Sequence, residues 1–287
     1  MKNAWPILTV VISLLAIWYA GAVWMNAQWV RDQAARAGTT VTVSQLFIGT
    51  MNLDRPVLPA PHQVVMELWK TVVDTSITSK RSLVYHAWVT LSATLLGFAI
   101  GTTAGVLLAV GIVHNRAMDM SVMPWAIASQ TIPILAIAPM VIVVMSAIGI
   151  TGIVPKAMIS AYLSFFPVVV GMVKGLRSPD AMQTDLLRTY NASATQTLWR
   201  LRWPASMPYF FTSLKVGVAA ALVGAIVGEL PTGAVAGLGA RLLAGSYYGQ
   251  TVQIWSALVM AALVAAALVG IIGVVQRATL KRMGMSR

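Results

Sequence analysis

The chain has 287 residues, 58% of them hydrophobic and only 10% charged, with a mean hydropathy of +0.78; soluble domains carry about 25% charged residues, so this one has too little charge to cover itself in water. The net charge of +12 is the loop excess of a positive-inside membrane protein rather than a nucleic-acid surface. There is no cysteine for a disulfide or thiolate metal site, and His62, His86 and His114 are too scattered for a metal motif.

Charge-free runs cover Ala4–Val30, Ala87–Val113, Met120–Pro155, Ala157–Val173 and Leu242–Gln276. A helix crosses the bilayer core in about 20 residues, so the fold class is an all-α polytopic membrane protein. Six spans are predicted, at 6–25, 86–113, 120–147, 154–173, 207–230 and 251–276. The run from Pro6 to Met25 is too long for a signal-peptide core, so a retained N-terminal membrane helix, 1–26, is expected. An extracytoplasmic loop, 27–82, comes next, carrying six basic and four acidic residues and the turn-rich stretch Asp54–Pro61. Its prolines fix φ and disfavour helix before them. Apolar residues at Val64, Val65, Leu68, Val72 and Val73 then predict an amphipathic helix over His62–Lys80, lying on the membrane surface.

In the second span Gly97, Gly101 and Gly105 stand four apart and form a smooth face for close helix packing. The third span is interrupted by Pro124, Pro133 and Pro139, with Ser129, Gln130 and Thr131 between them. Proline frees backbone carbonyls, tolerated at membrane depth only against protein or a watery cavity. Gln130, Thr131, Pro133 and Met140 are therefore candidate pathway residues. Glu229, at the outer end of the fifth span before Pro231 and the stretch Gly233–Gly239, joins them as an intramembrane acid, the alternative being a loop cap at the interface. Lys215 lies near the inner end of that span and can snorkel.

Between spans four and five lies a polar, basic insert, 178–205. Ser178-Pro179-Asp180 reads as a helix start, with serine as cap and proline at the first helical position. Asn191 stands where the pattern turns, and asparagine enters the left-handed region readily. Ser193 is the expected cap of a second helix, which Pro204 and Pro208 close ahead of span five. The expectation is a helix-turn-helix outside the bilayer. Lys and Arg place it on the cytoplasmic side, with both termini: eleven cations, from Lys2 to Arg287, fall inside, against Lys156 and Arg241 in the short outer loops.

The insert resembles the coupling loop of ABC importer permeases of the binding-protein-dependent transport family, E-A-A-x3-G-x9-I-x-L-P. With Pro204 as its proline, Leu201 takes the Ile position, Asn191 the Gly, and Asp185-Leu186-Leu187 the Glu-Ala-Ala. Further stretches resemble the nitrate/taurine/sulfonate type of these permeases: Leu58-Pro59-Ala60-Pro61, Thr131-Ile132-Pro133, Pro204-Ala205-Ser206-Met207-Pro208-Tyr209, Leu214-Lys215, Val227-Gly228-Glu229 and Gly237-Leu238-Gly239. The resemblance covers roughly 55–280. It implies a permease domain, 83–280, with a five-helix core, a cytoplasmic tail at 281–287, and a bacterial inner-membrane location. It further implies a second permease subunit completing a homodimer, a cytosolic ATPase dimer docked on the coupling loop, and an extracytoplasmic substrate-binding protein. ATP and magnesium belong to the ATPase, so this chain is expected to hold no cofactor and to be no enzyme. The departures at 185–187 and 191 imply a matched ATPase. Sulfonates, nitrate, pyrimidines and vitamin precursors are the solutes implied for the group.

The chain has no GxxxxGK[ST], GxGxxG or GxSxG motif. The alternative is a secondary transporter, which predicts inverted repeats and paired intramembrane charges; the sequence displays neither.

Overall fold

The computed structural model describes residues 4–231 and 234–285; Lys2, Gly233 and Arg287 lie outside them. The described residues are helical throughout, without strands. In order the helices are α1 (Ala4–Arg36), α2 (Val43–Met51), α3 (Pro61–Trp69), α4 (Leu83–His114), α5 (Arg116–Ser129), α6 (Ile134–Ala147), α7 (Ile153–Leu176), α8 (Ala181–Thr189), α9 (Ala194–Thr197), α10 (Trp203–Glu229), α11 (Leu238–Tyr247) and α12 (Thr251–Arg282). Five described helical runs are long and apolar enough to cross a membrane, and the pair α5 and α6 makes a sixth span if counted as one. The predicted third span, 120–147, is thus two helices meeting at a 98° bend. Pro133, which lacks an N–H, is the N-cap of the second.

The chain divides into two compact units, residues 1–87 with 240–261, and 88–239 with 262–287. In the first, α1 clasps the proline-rich stretch. Pro56, Pro59 and Pro61 prevent that stretch from forming its own helix, so its backbone groups need partners elsewhere. Asn26, fully buried, accepts from Val57 N (2.7 Å) and donates to Leu58 O (2.9 Å). Trp18 donates to Pro59 O at 2.9 Å and packs on Trp255, and Thr251 donates to Pro56 O. Tyr19 stacks on His62, whose ring also meets Met51 O at 3.2 Å. Burial pushes the Arg241 guanidinium below its ordinary pKa, against the pull of the Glu67 carboxylate.

The helix predicted over His62–Lys80 is shorter than expected. It starts at Pro61, passes into a π-helical turn at Lys70–Asp74 and stops. Thr75 is extended, and its hydroxyl turns back to Lys70 O. Helix α2, in the same loop, had no counterpart among the predicted elements; Thr42 and Gln45 begin it with a reciprocal capping box.

The second unit is organised around α7, the helix with the most buried residues together with α10. Val168, Val169, Met172, Val173 and Leu176 form a core with Ala109, Ile112 and Ala126. Gly97, Gly101 and Gly105 of α4 lie directly against α7, where added methyl groups would overlap Ala157 O, Ser164 Oγ and Phe165 O respectively. From the other side Gly224 of α10 meets the Ser160 backbone, and Ser160 donates to Ala221 O at 2.8 Å. Without a hydrophobic drive between helices in lipid, such backbone approach and short polar contacts hold spans together.

Candidate functional site

The insert folds as two helices around a tight turn. Helix α8 starts at Asp180, whose N–H donates to Gln183 Oε1, and not at Ser178. The Ser178 hydroxyl turns back to Gly175 O at the end of α7, and Pro179 falls in the link. At the other end of α8, Asn191 N donates to Arg188 O (2.9 Å) and Ala192 N to Leu187 O (3.0 Å). This is the paired bonding of a Schellman cap. It requires a left-handed residue, and Asn191 is the described non-glycine residue with positive φ, at 50°. Ser193 then caps α9, accepting from Gln196 N at 3.2 Å.

Pro204 and Pro208 do not close the second helix. From Ala194 to Glu229 the chain is one helical run of 36 residues. Pro204 cannot donate to a carbonyl one turn back. The run widens just before it, at Leu198–Arg202, into a π-helical turn in which Trp203 N reaches Leu198 O. Trp199, Trp203 and Phe210 stack in series beside it.

Of the six residues assigned to coupling, Asp185, Leu186 and Asn191 are exposed, and Leu187, Leu201 and Pro204 half-buried. Asp185 is 3.2 Å from Arg188. No residue of α8 is buried. Met182, Leu186 and Tyr190 recur four apart, so they share one face, and are 78%, 57% and 77% exposed. Met182 and Tyr190 were not singled out from sequence, although the i, i+4, i+8 spacing was there to read. Arg177 ties the end of α7 to Asp119 of α5 at 2.8 Å.

The pathway candidates divide. Gln130, Thr131 and Pro133 sit together at the α5–α6 bend, and Met140 lies on α6; all four are exposed. Tyr162 of α7 anchors the bend by donating to Ser129 O. Glu229 is elsewhere and is fully buried. Its carboxylate accepts from Thr90 Oγ1 (2.9 Å) and Gly239 N (2.8 Å), while Thr90 in turn accepts from Leu238 N (2.8 Å). Gly237, with φ +126°, lies so close that a methyl there would overlap the carboxyl group. Lys156 of α7 donates to Ala236 O at 3.3 Å. Residues 236–239 are therefore bound to α4, α7 and α10 at once. Thr90 and Lys156 were not picked out from sequence as site residues. Thr90 is 139 positions from Glu229, a separation no local pattern reports.

Among the described residues no group of histidine and acidic side chains is arranged to hold a metal. Residues 101–285 match the family described as binding-protein-dependent transport system inner membrane component. The chain is 34% identical to the formylaminopyrimidine transport permease protein of Halalkalibacterium halodurans, over 63% of its own length and 68% of that protein's. It is 29% identical to the riboflavin transport system permease protein of Chloroflexus aurantiacus, over 84% and 83%. It is 21% identical to the putative aliphatic sulfonates transport permease protein of Bacillus subtilis, over 78% and 77%. With its apolar helices and polar insert inside the matched region, the chain belongs to the family of binding-protein-dependent transport inner membrane components, the permease subunits of ABC transporters.

Proposed function

We propose that this chain is the pore-forming permease subunit of an ATP-driven importer for a small organic or oxyanion solute. Two copies form the pore, a cytosolic ATPase dimer docks on the inserts, and an extracytoplasmic binding protein delivers the solute. The distribution of Lys and Arg supports an orientation with both termini and the insert in the cytoplasm. ATP-driven closure of the ATPases moves the inserts, and the spans alternate between inward- and outward-open states. Gln130, Thr131, Pro133 and Met140 line the path. Glu229 acts on it through the 236–239 segment, which it holds.

The observation that carries this reading is the exposed apolar stripe of Met182, Leu186 and the C-cap residue Tyr190 along α8, a short helix with no buried residue. An exposed apolar face of this kind marks a protein interaction site, and family membership supplies an ATPase as its occupant. Relatives named for formylaminopyrimidine, riboflavin and aliphatic sulfonates support a small organic or oxyanion solute.

The test is ATP hydrolysis by the reconstituted complex with and without a solute-loaded binding protein. Stimulated hydrolysis coupled to uptake is expected. Uptake by this chain alone, driven by an ion gradient, would overturn the proposal in favour of a secondary transporter.

A further inference from the structure

A pocket of about 320 Å³ opens between the end of α4 and the insert. Its walls include His114 of α4, Thr184 and Arg188 of α8, Thr197 of α9 and Arg202 of the π-helical turn. The two threonine hydroxyls are committed to carbonyls of their own helices, Ala181 O at 2.8 Å and Ser193 O at 3.1 Å. What remains to meet a guest is chiefly the two guanidinium groups, beside Val113, Ala192, Ala194 and the ring of His114, whose Nδ1 is bonded to Val110 O at 2.8 Å.

Neither arginine is firmly held. Arg202 enters no ion pair among the described residues, and Arg188 has only Asp185, both side chains of that pair being largely exposed (82% and 67%). An exposed pair contributes little and is readily exchanged. Guanidinium groups bind carboxylates bidentately, and far better when the partner surface excludes water. Asp185 and Arg188 are therefore both open to an outside partner, and on the pocket side the insert presents the two arginines.

Resting on the permease reading above, the geometry points to an acidic side chain of the cytosolic ATPase entering this pocket and bridging Arg188 and Arg202. The apolar stripe and the basic pocket then divide the work. Met182, Leu186 and Tyr190 supply buried area, while the arginines set register and select the matched ATPase. A protein carboxylate fits better than a lipid headgroup because six of the eight lining residues, Thr184 to Arg202, belong to the polar insert, and only Val113 and His114 come from the end of α4.

The full-length permease is extracted from its native membranes into nanodiscs, and the ATPase retained is measured from low salt to about 0.5 M. Wild-type retention is expected to fall with salt. The double reversal Arg188→Glu/Arg202→Glu should lower retention about tenfold at low salt, and Arg188→Lys/Arg202→Lys, which keeps the charge without the fork, should fall between it and wild type. Retention of the double reversal at the wild-type level overturns the inference. So does loss of bound anionic phospholipid with the ATPase kept, which would make the occupant a lipid headgroup. Should the double reversal be polydisperse on gel filtration, Arg188→Gln alone is read, with a partial loss expected and unchanged retention counting against the inference. A wild-type chain that retains no ATPase at any salt instead sinks the permease reading itself.

Discussion

Thr90→Val probes the linkage between the fifth span and the segment after it. The substitution keeps the shape of the side chain and deletes one hydroxyl. That hydroxyl donates to Glu229 and accepts from Leu238 N, and all three groups are buried. In helical membrane proteins a side-chain hydrogen bond averages about 0.6 kcal/mol and reaches about 1.7. A buried donor left without a partner costs about 1–3 kcal/mol. Losing both bonds at once therefore costs about 1–3 kcal/mol, the upper end applying if no water enters. The control is Thr94→Val, one turn along the same helix and equally buried, whose hydroxyl donates to Thr90 O within α4. Thermal unfolding in detergent, with limited proteolysis at 230–239, should rank Thr90→Val well below Thr94→Val, with faster cleavage in the segment. Equal melting temperatures and equal cleavage would refute the idea that this triad holds the segment.

Gly101→Val should abolish a monodisperse product on gel filtration, because the side chain would overlap Ser164 Oγ and crowd Ala161 O; Gly270→Ala, with nothing within 4 Å, should leave the elution profile unchanged. Asn191→Gly should match or exceed wild-type melting, whereas Asn191→Val, forced into the left-handed region, should lose about 1–2 kcal/mol and a large share of ATPase-stimulated activity. Asn26→Leu leaves Val57 N and Leu58 O without their side-chain partner, so residues 55–60 should become cleavable by added protease while the gel-filtration profile stays that of wild type.

Membrane spans were legible because lipid excludes charge, and charge is visible along one dimension. The turn at Asn191 and the cap at Ser193 were legible for a similar reason: their bonds close within six residues. Local rules failed where two of them competed. Ser178-Pro179 fits a helix start, but the Ser178 hydroxyl is taken by the preceding helix, and Asp180 with Gln183 makes the better box. Pro204 reads as a stop only if the ladder before it is strictly α-helical, and the π-helical turn removes that condition. The roles of Thr90 and Asn26 had no local signal, since their partners lie 139 and about 31 residues away. Glu229 was conspicuous as an acid in a span, with a loop cap as the alternative reading, and its bond from Gly239 N is of that second kind.

The uninterrupted run from Ala194 to Glu229 makes a push-rod of 36 residues, about 54 Å long. One end begins at the Asn191 turn, and the other carries the carboxylate that grips residues 237–239. The rod's compliant elements are the π-helical turn at Leu198–Arg202, next to the insert, and Pro208, which cannot bond to a carbonyl one turn back. A load applied at the Asn191 end is absorbed at those two points or delivered to the far segment, so their stiffness governs how much displacement arrives.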